Sequence, residues 1–313
     1  MFTPLLISCD YSIIAGTQMQ RGLYILPGIR YDVKNKIRGE GMEKPKKQKA
    51  GRVLYYSLIV LFAGVFLFCA VYVGYYYFQA QRSDNINQDL QSLKGTIPAT
   101  EPKDPGATEP EASEGASAPA EPTILPEYQA LYELNNDLVG WLTIPDTNID
   151  YPVMQSPYEK DFYLRRDFYK NYLYAGTLYA RETCDVFRPS DNVTIYGHRM
   201  EKPGRNMFFE LDKLKSRAWW ENHRTFTFDT IYERHTYEII CVFKTHAKDG
   251  YPYHRFENAA TEAEFDEFIS KVKSMQFYET GVTAEYGDKL LCLSTCEYSL
   301  GDGRFVVVAK RIK

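Results

Sequence analysis

Cys296 and Arg304 stand where two strand-like runs would bring a thiol and a permanent cation together. Leu290, Cys292, Ser294 and Cys296 alternate along one face of the first run, by the two-residue period of a strand. The polar link E-Y-S-L-G-D-G follows, and the second run opens at Arg304. Paired as an antiparallel hairpin, the runs set Cys296 and Arg304 nearly opposite, about 5–6 Å apart along the backbone. A fixed guanidinium there favours thiolate over thiol and offers hydrogen bonds to a developing oxyanion. His198 is the third candidate, because Y-G-H-R-M directly follows the strand-like N-V-T-I. His223, His235, His246 and His254 have no comparable placement.

The cysteines leave alternatives open. Of six, Cys184, Cys241, Cys292 and Cys296 fall in the C-terminal part of the chain. They read as two disulfides, as a free nucleophile, or as inert buried thiols. Cys292 shares a face with Cys296 but lies ~13 Å further along the strand.

These residues need a rigid scaffold, and the sequence supplies one over residues 124–313. Pro126 suits the first turn of a helix, with Tyr128, Leu131, Tyr132 and Asn135 at helical spacing. Short β-branched and aromatic runs follow at 138–144, 149–155, 176–180, 193–196, 225–228, 237–245, 289–295 and 304–312. Turn residues separate several of them, predicting a mainly β sandwich or barrel. One helix interrupts: Thr261 and Glu264 form a capping box, and Phe265, Phe268, Ile269 and Val272 make an apolar stripe.

Charge divides the chain. Residues 1–82 carry a net +7, residues 83–123 a net −6 and residues 124–313 a net −5. An acidic domain lacks the basic face that phosphate contacts need, so no nucleic acid is expected as a partner. Residues 53–78 hold no charge at all; as a helix they span ~39 Å against a hydrocarbon core of ~30 Å. We read them as a single transmembrane helix, with Tyr55, Tyr56, Tyr75, Tyr76 and Tyr77 at its interfaces. Lys44, Lys46, Lys47, Lys49 and Arg52 precede the span, and only Arg82 lies close behind it. The positive-inside rule then makes 42–52 a basic cytoplasmic segment and puts the large domain outside, at the cell membrane. Residues 79–123 read as an extracytoplasmic linker, with six Pro and six Ala among residues 95–123. Met42 begins M-E-K-P-K-K, and the R-G-E-G before it has codons that resemble a purine-rich ribosome-binding site. Residues 1–41 are thus a translated leader or a cytoplasmic tail.

Taken together, the motifs resemble a known family. L-S-T-C-E-Y at 293–298, with Arg304 opening the next strand, is similar to the T-L-x-T-C…R signature of sortases. Y-G-H-R-M at 196–200 resembles their histidine motif. V-G-W-L-T-I-P-D-T-N-I-D-Y-P-V at 139–153, F-F-E-L-D-K-L at 208–214 and the helix at 262–275 resemble class B in particular. The one departure is the leucine before the Ser-Thr-Cys, where Leu291 and Leu293 flank Cys292.

The resemblance implies a closed eight-stranded β-barrel, with an N-terminal helix and an extra helix before the penultimate strand. It implies a cysteine transpeptidase with Cys296 as nucleophile, His198 as general acid/base and Arg304 as oxyanion stabiliser. The sequence shows no metal-ligand cluster, phosphate-cradling Gly loop or H-E-x-x-H motif, so no cofactor or metal is expected. Ser294 and Thr295 would contact the substrate, and the backbone N–H of Glu297 would help hold the oxyanion. The expected partners are surface proteins with a C-terminal sorting signal, cleaved after Thr, and a peptidoglycan amine. Two rivals remain at this stage. One is a stalked surface-binding module using its tyrosines, which thiol-reactive probes would leave unlabelled. The other is a cysteine peptidase that makes no amine-dependent product.

Overall fold

The computed structural model describes residues 47–95, 122–201 and 204–313. Its elements are α1 (Lys47–Leu93), α2 (Pro126–Leu134), β1 (Leu138–Thr143), β2 (Asp150–Met154), β3 (Leu178–Ala180) and β4 (Asn192–Tyr196). They continue with α3 (Arg217–Trp220), β5 (Thr225–Thr230), β6 (Thr236–His246), α4 (Glu262–Ser274), β7 (Leu290–Glu297) and β8 (Gly303–Arg311). The strands close a barrel in the order β1-β2-β3-β4-β7-β8-β6-β5. Every strand-like run of the sequence is one of these strands.

The barrel is filled from inside by alternate residues, including Leu291, Leu293, Phe305 and Val307. The opposite faces of β6, β7 and β8 are buried too. Ile240, Cys292, Val306 and Val308 pack there against Phe265, Phe268, Ile269 and Val272 of α4. Burial on both faces is why β7 reads L-L-C-L without polar alternation. At the start of α4 the Thr261 hydroxyl accepts from the Glu264 N–H at 3.3 Å, while the Glu264 carboxylate reaches the Ala260 N–H at 2.8 Å.

The chain divides after Ile59 into two units, and the described part of the first is only the start of α1. In the second unit α1 does not stop at Phe78. It runs fifteen residues further, to Leu93, through a stretch expected as linker. Gln79, Ser83, Asn87 and Leu90 are buried there at helical spacing, and Leu90 joins Tyr128, Leu131 and Trp141 in a third core cluster. That stripe escaped hydrophobic periodicity because three of its four residues are polar. The Gly95 N–H then donates to the Glu127 carbonyl at 3.2 Å. Gly95 and the start of α2 therefore meet. Residues 96–121 themselves, like the leader or tail over 1–41 and Lys44 and Lys46, lie outside the described residues.

Candidate active site

Two strand pairings assemble the site. In the antiparallel β7–β8 ladder Cys296 is directly opposite Arg304, followed by Glu297 opposite Gly303. In the parallel β4–β7 ladder the last pair is Tyr196 with Ser294, and the Gly197 N–H extends it to the Ser294 carbonyl at 3.1 Å. His198 and Cys296 each lie two residues beyond that pair, so both side chains continue onto the same face at the same sheet end. The glycine of Y-G-H is needed for close packing, since a Cβ at Gly197 would collide with Leu178 and Phe208. A cleft of about 270 Å³ opens over this end, lined by Cys296, His198 and Arg304 together with Arg181, Tyr196 and Tyr253.

His198 is oriented by a residue that sequence reasoning missed. Its Nε2 lies 2.9 Å from the carbonyl oxygen of Leu164, in the short 3₁₀ turn Phe162–Arg165. A carbonyl only accepts, so Nε2 carries the proton and donates, which leaves Nδ1 as the basic nitrogen. Burial, then the charge of Arg165, push the imidazole down to about 4, against the opposing pull of the Leu164 carbonyl. His198 is therefore neutral at pH 7. Nothing in L-R-R-D-F at 164–168 signals this role, because the contact is made through backbone.

Arg304 is held at the strand entrance, its guanidinium donating to the Gly303 carbonyl at 2.9 Å and lying 3.8 Å from Asp302. Ser294 is buried, with its hydroxyl 2.5 Å from that of Tyr253. Thr295 is buried with its hydroxyl unpartnered, although it lines the cleft. The Glu297 carboxylate is engaged away from the cleft, pairing with Lys215 and accepting from the Ser299 N–H at 2.9 Å. Those bonds outweigh its burial and hold its pKa near 2. Among the expected substrate-binding residues, Ser294 and Thr295 reach the cleft and Glu297 does not line it.

The four cysteines of the barrel are free, so the disulfide alternative falls. Burial pushes the Cys184 thiol up to about 11 and the Cys241 thiol up to about 12, and pushes Cys292 well above its ordinary value. Cys296 is partly exposed, and of the four it alone lines the cleft.

Comparison with known proteins settles the family. A sortase domain model matches residues 142–312. The chain belongs to the sortase family. It is 30% identical over 260 residues to sortase B of Listeria monocytogenes, covering 82% of this chain and 96% of that one. It is also 30% identical over 193 residues to sortase B of Staphylococcus aureus, covering 61% of this chain and 76% of that one. A solved Bacillus anthracis protein described as similar to sortase B superposes with a TM-score of 0.60 at 27% identity, over 74% of this chain and 97% of that one. The S. aureus sortase B–substrate complex superposes with a TM-score of 0.56 at 28% identity, over 61% and 86%. The barrel is thus a sortase domain of class B type and a cysteine transpeptidase. Among the described residues α1 is long and apolar enough to cross a membrane.

Proposed function

We propose that this sortase cleaves a C-terminal sorting signal after Thr and joins the new carboxyl end to a peptidoglycan amine. The Cys296 sulfur attacks the Thr carbonyl carbon as its proton passes to Nδ1 of His198. The tetrahedral oxyanion is held by Arg304 and the backbone. On collapse, the C–N bond breaks, His198 protonates the leaving amine, and the acyl group stays on sulfur as a thioester. The incoming amine gives a proton to His198, displaces the thiolate and forms the new amide. No cofactor takes part. The neutral His198 suits this cycle, since the proton it later donates is the one it has just received.

The single observation that carries this reading is the double register, Cys296 opposite Arg304 and His198 level with Cys296. The surface proteins served, the acceptor amine, and a topology with the N-terminus cytoplasmic and the barrel outside belong to the same proposal. Full-length protein in detergent, incubated with a panel of sorting-signal peptides, should gain the mass of the acyl fragment on Cys296. Release into an amide should then depend on added amine. Labelling without a thioester, or hydrolysis unaffected by amine, would sink it.

A further inference from the structure

We propose that the barrel is seated on the outer leaflet of the bilayer through Tyr174 and Tyr298, which puts Cys296 at the membrane surface. The inference rests on reading α1 as the anchor, and begins with where the barrel touches it. Tyr76 and Tyr174 are in edge-to-face contact, ring centroids 5.8 Å apart. Tyr76 lies two residues inside the end of the apolar span 53–78, about 3 Å along the helix axis. That span is several ångströms longer than the hydrocarbon core, so its last turn stands at headgroup level. Tyr174 must stand there too. The first charge beyond the span, Arg82, meets the barrel six residues after Tyr76, about 9 Å higher, donating to the Tyr172 carbonyl at 3.5 Å and to Asp167 at 2.7 Å.

Tyr298 belongs to the same level. With Tyr76, Tyr174, Arg199, Met200 and Glu201 it walls a hollow of about 350 Å³. It is 67% exposed and Tyr174 is 40% exposed. Both rings carry a guanidinium, Arg165 at 4.3 Å over Tyr174 and Arg199 at 5.4 Å over Tyr298. Aromatic rings with a polar tip, capped by arginines, are the chemistry of the membrane–water interface. Tyr75, Tyr77 and Phe78, the neighbours of Tyr76 on α1, are exposed as well. Tyr298 is two residues from Cys296 and Arg199 is next to His198. The hollow thus flanks the catalytic end of the barrel, and seating the rim opens it toward the headgroups.

The test uses the full chain in phosphatidylcholine nanodiscs containing a lipid with a photoactivated carbene precursor near its glycerol. Adducts are mapped by peptide mass spectrometry. Adducts are expected around Tyr174 and Tyr298 as well as on residues 75–78. Tyr174→Ser with Tyr298→Ser should remove the barrel adducts and keep those on the helix. Adducts confined to residues 53–78 would overturn the seating while leaving the anchor intact. Absence of adducts from that segment as well would overturn the anchor, and the seating with it. Neither result bears on transpeptidation, which is read separately by acyl-enzyme mass.

Discussion

Arg82 of α1 donates to Asp167 at 2.7 Å, and the Asp167 side chain is 1% exposed. The same carboxylate accepts from the Asn171 N–H at 2.8 Å and so pins the loop between Leu164, which holds His198, and Tyr174. A buried carboxylate robbed of its cation keeps its desolvation cost, about 1–3 kcal/mol or more for a charged group. Arg82→Ala is therefore expected to lower the melting temperature of the full chain in detergent by several degrees. Arg82→Lys should recover part of it. An unchanged melt would mean that the extension of α1 past Phe78 adds nothing to the barrel.

The acid limb of the pH–rate profile should report His198. Its folded-state value of about 4 lies below the ordinary histidine value, so the fold favours the neutral ring. That contribution to stability is complete above about pH 6.5 and fades as pH falls through the window down to about 4. The base needed for attack on the first substrate is lost over the same descent. The kcat/KM for a sorting peptide should thus hold well below pH 6 before falling. Arg165→Gln removes a cation that disfavours imidazolium, so the limb should move to higher pH. An unmoved limb would rule out Arg165 as a source of the shift.

What the sequence made legible was whatever depends on local period. Alternation along β7 predicted the face shared by Cys292, Ser294 and Cys296, and the seven-residue link predicted the register with Arg304. The stripe at 265–272 predicted α4, because an amphipathic helix writes its buried face in apolar residues. What failed to show was carried by polar or backbone groups from distant parts of the chain. The buried face of α1 past Phe78 is Gln79, Ser83 and Asn87, which read as solvated. Leu164 orients His198 through a carbonyl, which any residue possesses. Tyr253 meets Ser294 from 41 positions upstream, and no spacing rule links them. Glu297 is adjacent to the nucleophile, yet strand alternation turns its side chain to Lys215.

The barrel cysteines should separate cleanly by role. Cys292→Ala is expected to keep turnover and to lose at most the stability of one small buried side chain, about 1 kcal/mol. Thiol-reactive probes should label native protein at Cys296 and spare Cys184, Cys241 and Cys292, whose burial holds them protonated. Labelling of Cys292 at a comparable rate in folded protein would contradict its place under α4.

Arg304→Lys tests whether charge or geometry matters at the strand entrance. Cys296→Ala should abolish turnover, since no acyl carrier remains, and His198→Ala should be severely impaired for want of a proton carrier. Lysine at 304 keeps the positive charge opposite Cys296. It loses the planar fork that can hold the Gly303 carbonyl and an oxyanion together. If Arg304 acted only by favouring thiolate, Arg304→Lys would stay close to wild type in both acylation and amine transfer. If it serves the oxyanion directionally, the loss should be on the order of 10²-fold or more, as for removal of one oxyanion donor. We expect the larger loss, and expect it in kcat rather than KM, because the interaction exists in the transition state and not with bound peptide. The measurement is single-turnover acyl-enzyme formation by intact mass, beside steady-state amide formation. A near-normal acylation rate would show that a nearby charge is all this position supplies.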